Sequence, residues 1–426
     1  MKDVTKVELQ FTDLAGNLRS VDMSWESYSE CKTDGKGIDG SSVGMAPVEK
    51  SDLLLKPVES TFFQLPWNPK VGRVLCDIYD PPERVEDFGK EQECEFSPRF
   101  ILKRVLKRAT EMGYDFVSSA EMEFFVLNKG RPLDGTGYFS PMPLDIGAPV
   151  RREIFDTLPM AGMHGLYLHH EVSTGQHEIC LRHDNALKMA DDIVTFRFIA
   201  KNLASRKGLL LTFMPKPFQG ANGSGMHIHM SLFDQRGRNV FYGGDRISDL
   251  AKNFIAGILE NAKALAAVAA PTVNSYKRLV PGYEAPVYIS WGFMNRSALI
   301  RVPAFSSKDA ARIELRMADP SCNPYLLYAC VLAAGLNGIE KGIKLKEACT
   351  INTYNNGSEF EVLPSTLEEA LEEIARSKLM TSTIGGEALS RLINTKSQEW
   401  RGFIKQNEWN PFEITKWELE RYADFV

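Results

Sequence analysis

Three runs of this chain place ionisable side chains at every second position of an otherwise apolar stretch. Between Phe116 and Leu127, Glu121 and Glu123 alternate with Met122 and Phe124. His227, His229 and Ser231 alternate with Ile228, Met230 and Leu232. Arg312, Glu314 and Arg316 alternate with Ile313, Leu315 and Met317. A period of two is that of a β-strand, so each run predicts a strand with one apolar and one ionisable face. A fourth segment, His169 to Glu178, adds Glu171 and Glu178. Gathered in one sheet, such strands would line a charged, concave cavity with carboxylate, imidazole and guanidinium groups.

Other patterns predict the frame around these strands. Lys6–Phe11 and Leu18–Trp25 read as a hairpin through the glycine turn Asp13–Asn17, and Val71–Tyr79 as a strand ended by Asp80-Pro81-Pro82. About the first 90 residues therefore form a small, mostly β domain. Ser97 caps a helix that starts at Pro98 and stops near Gly113. Further helices are expected at Asp184–Lys207, Ile247–Ala269, Pro324–Lys341, Leu367–Arg376, Glu387–Asn407 and Glu413–Asp424, with Thr366 and Glu369 as a capping box.

Composition narrows the function classes. A length of 426 residues suggests two domains. A net charge of −5 implies no general affinity for nucleic acid. The longest Ala/Leu-rich stretch, Gly257–Pro271, falls short of the roughly 20 residues that cross a bilayer. The chain opens Met1-Lys2-Asp3-Val4 without a signal-peptide pattern, and its seven scattered cysteines form no CxxC pair. A reducing cytoplasm fits better than a disulfide framework or a zinc site.

Five glutamates and one histidine, Glu121, Glu123, Glu171, Glu178, Glu314 and His227, would repel strongly in one cavity unless protons or cations neutralise them. Oxygen ligands with a single imidazole suit a hard ion such as Mg²⁺ or Mn²⁺. A solvated, glutamate-rich sheet face is the bland alternative, and it leaves the arginines at the same spacing unexplained. Arg278, Arg296, Arg301, Arg312 and Arg316 supply the planar, bidentate group that recognises carboxylate and phosphate. The turn Gly220–Gly225 precedes the His227 strand without forming a Walker loop. Together these features favour metal-assisted phosphoryl transfer.

The runs Asp39-Gly40-Ser41-Ser42, His169-His170-Glu171, Gly175-Gln176-His177-Glu178, Phe213–Pro217, Asn222–His227, Asn274–Pro286 (NSYKRLVPGYEAP), Asn295-Arg296-Ser297 and Asn323–Leu326 resemble glutamine synthetase of the bacterial and archaeal type I, in order and approximate spacing from about residue 5 to 426. The resemblance implies an α+β fold: a small N-terminal β-grasp domain over residues 1–95, and a larger catalytic domain over 96–426 with a curved antiparallel sheet flanked by helices. It also implies a cytoplasmic dodecamer of two stacked hexameric rings, with active sites between subunits.

The same resemblance implies the reaction: ATP-dependent ligation of ammonia to the γ-carboxylate of glutamate through γ-glutamyl phosphate, with two or three Mg²⁺ or Mn²⁺ ions per site. Glu123, Glu171 and Glu178 are then expected to hold the metal on the glutamate side, and Glu121, His227 and Glu314 the metal at the nucleotide. Glutamate and ammonium would meet Ser42, Tyr138, Asn222, Gly223, Arg278, Glu284 and Arg316. ATP would meet Phe213, His229, Ser231, Arg296, Arg301 and Arg312. Asp39, Glu284 and Arg316 would act in catalysis, Asp39 in the cavity of the next subunit.

Three departures stand out. Gly44–Glu49 carries no arginine of the kind that relatives link to feedback inhibition by glutamine. Leu166 stands where relatives often have a nucleotide-contacting acid. Tyr354 lies near an adenylylated tyrosine of some relatives, in different surroundings, and reads as a surface tyrosine. The competing functions are a γ-glutamyl ligase for methylamine or a polyamine, a non-enzymatic regulatory homologue, and a phosphagen kinase of related fold. Retention of Asp39, Tyr138, Glu284, the metal ligands and the Asn274–Pro286 segment argues against each.

Overall fold

The computed structural model describes residues 3–82, 84–87, 89–244 and 246–424. Met1 and Lys2, where the leader reading begins, and the last two residues of the expected catalytic domain lie outside them. The chain opens with the expected hairpin, β1 (Lys6–Thr12) and β2 (Leu18–Ser24), whose register runs from Lys6 opposite Ser24 to Thr12 opposite Leu18. The Asp13 carboxylate holds the turn, accepting from the Asn17 amide at 2.9 Å and pairing with Arg19 at 2.8 Å. Trp25, expected as the end of a strand, instead begins helix α1 (Trp25–Asp34), because the Ser24 side chain caps the Ser27 amide. There follow β3 (Lys36–Asp39), β4 (Asp52–Pro57), β5 (Phe63–Leu65) and β6 (Asn68–Tyr79). The sheet runs β2-β1-β6-β4-β3, with β5 on β6 and a parallel β1–β6 pair at its centre.

Strand alternation gives this sheet two apolar faces. Val74 and Cys76 pack with Val7, Leu9, Leu55, Tyr28 and Cys31 beneath α1. Leu75 faces the other way and joins Phe63, Leu65 and Leu14 in the core of the rest of the chain.

The second part begins with α2 (Pro98–Glu111), capped by Ser97 as expected. Next come β7 (Tyr114–Asn128), β8 (Arg131–Pro132), α3 (Ala148–Thr157), β9 (Gly165–His170), β10 (Gln176–Leu181), β11 (Asp184–Asn185), α4 (Ala186–Ser205), β12 (Leu210–Thr212) and β13 (Met226–Asp234). Then follow α5 (Asp249–Glu260), α6 (Ala262–Ala269), α7 (Ser275–Arg278), β14 (Trp291–Phe293), β15 (Ile300–Val302) and β16 (Ile313–Leu315). The chain closes with α8 (Pro324–Lys341), α9 (Thr353–Asn356), α10 (Leu367–Arg376), α11 (Lys378–Ile384), α12 (Gly386–Ile404) and α13 (Lys416–Tyr422). The curled sheet runs β14-β15-β16-β13-β7-β10-β9, antiparallel except for the β14–β15 pair. Met122, Phe124, Met226, Ile228, Met230, Ile313 and Leu315 bury its apolar face in the core with residues of α4 and α8. The ionisable face is left open.

Several helix readings change, and the last helix starts at Lys416 rather than Glu413. The single helix expected at Ile247–Ala269 is two, α5 and α6, parted at Asn261, whose side-chain amide donates to the Gly257 carbonyl at 2.9 Å. α4 starts later than expected because Asp184–Asn185 pairs with β7 and the Asn185 side chain then caps the helix. Thr366 caps α10, but the Glu369 carboxylate reaches back to the Ser365 amide. The reciprocal box is at Thr415 and Glu418.

That second box anchors the end of the chain to the site. The fully buried Glu418 carboxylate accepts from Thr415, from Asn274 Nδ2 at 2.8 Å and from Lys277 Nζ at 2.7 Å. Lys277 is also fully buried and belongs to α7, next to Arg278. Removing one member of such a pair strands the other's charge in the interior. Glu418→Ala is expected to cost about 3–5 kcal/mol, read as a lower midpoint in chemical denaturation, whereas the exposed pair mate Glu372→Ala leaves the midpoint unchanged.

Candidate active site

Register places the carboxylates. Along β7, Glu121 lies opposite His227 of β13 on one side and Cys180 of β10 on the other, while Glu123 lies opposite Glu178 of β10. His229 lies opposite Glu314 of β16. Glu121 therefore receives His227 Nδ1 on Oε2 and His229 Nε2 on Oε1, each at 2.9 Å. His227 Nδ1 is also 3.9 Å from Glu123 and 3.7 Å from Glu314. Glu171 follows the end of β9, and His169 sits between it and Glu178, at 3.5 and 3.3 Å.

These side chains line a cleft of about 800 Å³. Of the expected residues it brings together Glu121, Glu123, Glu171, Glu178, His227, Tyr138, Asn222, Gly223, Arg278, Glu284, Arg296 and Arg316. Glu314 is fully buried at its edge, accepting from Arg316 Nη1 at 2.7 Å and from Arg301 Nε. His229, Ser231 and Arg312 continue along the same strands, with Arg312 Nε 3.4 Å from His229 Nδ1 and the Ser231 hydroxyl donating to Ala311.

Arg278 is fixed from behind, donating to the carbonyls of Met317 at 2.9 Å and Arg316 at 3.2 Å. The glycine turn lies against it. A Cβ on Gly225 would stand 2.7 Å from Arg278 Nη2 and 2.9 Å from His227 Nε2, so only glycine lets the Gly225 amide reach Glu123, to which it donates at 2.9 Å. Glu284 holds a left-handed backbone conformation, φ +59, and its carboxylate accepts from Asn222 at 2.7 Å across the cleft. A non-glycine residue held there costs conformational energy, which suits a segment that moves.

Phe213 is fully buried against Phe124 and Phe196, so its ring packs in the core on the apolar side of the sheet and only its backbone is left for a nucleotide. One expectation is corrected. Tyr354 is not a bare surface residue: it lines the cleft, and its hydroxyl donates to the carbonyls of Glu284 at 2.8 Å and Arg296 at 2.9 Å. Sequence reasoning also passed over Tyr167, whose hydroxyl donates to Glu121 at 3.1 Å, and Gln176, which donates to Glu123 at 3.1 Å. The alternation of Tyr167 with His169 on β9 was the available signal. Asp39 and Ser42 do not line the cleft. They form a self-contained turn in the N-terminal part, where hydrogen bonds from Ser41 and Ser42 pull Asp39 down to about 2.

The electrostatics are unbalanced in a way a cation would correct. Burial pushes Glu123 up to about 7. Burial and the Glu178 charge push Glu171 up to about 7. Burial, with the charges of Glu121, Glu123 and Glu314, lifts Glu178 well above the carboxylate range. Burial also opposes ionisation of Glu121 and Glu314, but the histidines hold the first well below the usual range, and Arg316 with the histidines holds the second near 2. Of the three groups of such side chains that converge to within 4.8 Å among the described residues, two belong to this site: His169, Glu171 and Glu178, and Glu121, His229 and Glu314. This mostly oxygen donor set fits hard divalent ions.

A curled sheet with paired carboxylate groups on one side and anion-binding arginines on the other defines a metal-dependent enzyme acting on anionic substrates. The comparisons name the family. Residues 95–422 match the model of the glutamine synthetase catalytic domain, and residues 3–81 that of the glutamine synthetase beta-Grasp domain. Glutamine synthetase of Thermotoga maritima is 43% identical over 99% of this chain and 97% of its own. That of Thermococcus kodakarensis is 44% identical over 97% and 94%. A solved GmaS/ADP complex superposes with a TM-score of 0.88 at 31% identity, covering 99% of this chain and 97% of that one. The chain belongs to the glutamine synthetase family, and ATP and a divalent metal come with that membership.

The proton balance of the cleft gives a testable sign. Glu123 and Glu171 hold values near 7, above their ordinary 4.5, so their stabilising contribution is complete below about 4.5 and is lost as pH rises through about 7. The cation-free protein is therefore expected to melt at a lower temperature at pH 8 than at pH 5.5. Added Mg²⁺ should raise the melting temperature more at pH 8, with proton release measurable by calorimetry in buffers of different ionisation enthalpy. A Mg²⁺ stabilisation independent of pH between these values would contradict this account.

Proposed function

We propose that this protein joins ammonia to the γ-carboxylate of L-glutamate, with ATP converted to ADP and phosphate. The observation that carries the reading is one cleft holding both carboxylate groups together with Arg278, Arg316 and Glu284. In this reading Glu123, Glu171 and Glu178 hold one cation and Glu121, His227 and Glu314 another. Two or three Mg²⁺ or Mn²⁺ ions, when bound, would neutralise the phosphate oxygens and the crowded carboxylates.

The chain's own groups account for the rest. Arg278, held rigid by two carbonyls, presents its charge to the α-carboxylate of glutamate. Arg316 faces the γ-carboxylate, and its buried Nε lacks a partner, leaving a donor for an oxyanion. Arg296, Arg301 and Arg312, with His229 and Ser231, lie along the nucleotide side. A γ-carboxylate oxygen attacks the γ-phosphorus of ATP and ADP departs, giving γ-glutamyl phosphate. Ammonium gathers near Glu178, Glu284 and Tyr138 and gives a proton to Asp39. The resulting ammonia attacks the acyl carbon and phosphate leaves. Glu284, pinned by Asn222 and Tyr354, closes the cleft against water, which would hydrolyse the acyl phosphate.

Asp39 lies outside the cleft of its own chain, which supports active sites shared between subunits in a dodecamer of two six-membered rings. Tyr138, Phe139, Leu144, Leu166 and Tyr167, exposed in the single chain near the cleft mouth, are a surface such packing would cover. We place the domain division at residues 95 and 96, and the enzyme in the cytoplasm. Among the described residues no helix is long and apolar enough to cross a membrane.

One assay separates this function from an amine ligase on the same scaffold. ADP release with glutamate is expected to respond to ammonium and to respond far less to methylamine or putrescine. Stimulation by putrescine alone would overturn the assignment. Sharing of the site is tested by mixing. Asp39→Ala and Arg316→Ala subunits should each lose about 10²–10³-fold in turnover, and co-assembled subunits should recover part of it, because some interfaces then carry both native residues. Mixed assemblies as inactive as their parents would place both residues in separate roles within one chain.

A further inference from the structure

A second cavity, of about 840 Å³, lies away from the cleft, where the β1–β2 turn meets α4, α12 and α13. Its wall carries Arg197 and Lys201, one turn apart on α4. Arg197 Nη2 donates to the Cys322 carbonyl at 2.8 Å, but its buried Nε has no partner. Lys201 Nζ meets the backbone carbonyl of Asp424 at 2.9 Å, and among the described residues it forms no ion pair within 4.0 Å. The pair repel each other: burial, and then Arg197, bring Lys201 down to about 8, with Asp424 the opposing charge. The other cations at the rim are matched, Arg19 by Asp13, and Lys396 and Arg421 by Glu399. Phe198 and Trp417 add apolar wall, and Asn17 and Ser321 add polar groups.

We propose that this cavity binds a small organic or inorganic anion, a carboxylate or a phosphate, on Arg197 and Lys201. Two adjacent, half-enclosed cations with an unused donor are costly unless an anion completes them, and a cavity of this volume admits a metabolite-sized one. Arg197 offers its unpartnered Nε–H, a charged donor of the kind that carboxylate and phosphate oxygens accept from. The apolar wall favours an anion with a carbon skeleton over a bare ion. The inference is independent of the ligase reading, since none of these residues lies in the catalytic cleft.

Trp417 supplies a local reporter among the six tryptophans. The full-length protein, without added metal, is titrated with inorganic phosphate and separately with succinate. The Trp417 contribution is isolated by difference from Trp417→Phe. A saturable emission change with either probe is expected, weakened at least about tenfold in Arg197→Gln and in Lys201→Gln and largely kept in Arg197→Lys. Both Gln variants should retain native ADP release without added anion, which separates loss of the pocket from loss of the fold. The proposal fails if neither probe changes Trp417 emission, or if the saturation curve is unchanged in the Arg197→Gln, Lys201→Gln double variant. A response to phosphate but not succinate, or the reverse, supports it and identifies the headgroup.

Discussion

The structure depends on a sheet register that forces carboxylates together. Glu123 opposite Glu178, and Glu121 one step further along the same strand, follow from pairing β7 with β10 and β13. Like charges directly opposite on neighbouring strands repel. A slip of one residue would relieve the repulsion but would turn Met122, Phe124, Met226 and Ile228 out of the core. The apolar face wins, because the area it buries outweighs a repulsion that protons can remove. Packing thus imposes electrostatic strain on the open face, which protons or cations relieve. Affinity for metal is written into the hydrophobic pattern of the opposite side.

The arginines answer the same constraint from the other wall. Arg316 and Arg301 neutralise Glu314, which keeps that carboxylate ionised although it is fully buried. Arg278 makes no carboxylate pair within 4.0 Å among the described residues. Its partners are the backbone carbonyls of Arg316 and Met317, so its charge remains available to a ligand. The glycine turn carries the amide of Gly225 onto Glu123 and lets the loop lie within contact of Arg278. Two arginines of similar burial therefore differ in how they are held: Arg316 neutralises Glu314 through Nη1 and keeps its Nε unpartnered, whereas Arg278 is held by uncharged carbonyls alone.

Much of this was legible in the chain because alternation is a local signal. Glu121 and Glu123 share a face for the same reason that Met122 and Phe124 share the other, and no tertiary knowledge is needed to see it. Ser97 before Pro98 marked a helix start through capping chemistry that is equally local. What escaped depends on distant partners. Tyr354 sits in an unpatterned loop and gains its place from the carbonyls of Glu284 and Arg296, 70 and 58 residues away. The box at Thr415 and Glu418 went unread, because the last helix was expected to start at Glu413. What distinguishes it is Lys277, about 140 residues earlier, which occupies the carboxylate's other side. The Phe213 ring turns into the core, which a motif does not reveal, because it marks a position without saying which way its side chain turns.

One segment ties these features together. Residues 314–323 supply Arg316 to the cleft, Glu314 buried at its edge, the carbonyls that hold Arg278, and the Cys322 carbonyl that holds Arg197. The same segment ends at Asn323, whose side chain donates to the carbonyls of Asp13 and Leu14 in the N-terminal hairpin turn and whose Cβ would stand 3.1 Å from any Cβ at Gly16. A single stretch of backbone thus touches the substrate wall, the second cavity and the joint with the N-terminal sheet. Coupling between sites needs a physical element whose position both can bias. This stretch is contiguous with both, through the Arg316 and Met317 carbonyls on Arg278 and the Cys322 carbonyl on Arg197.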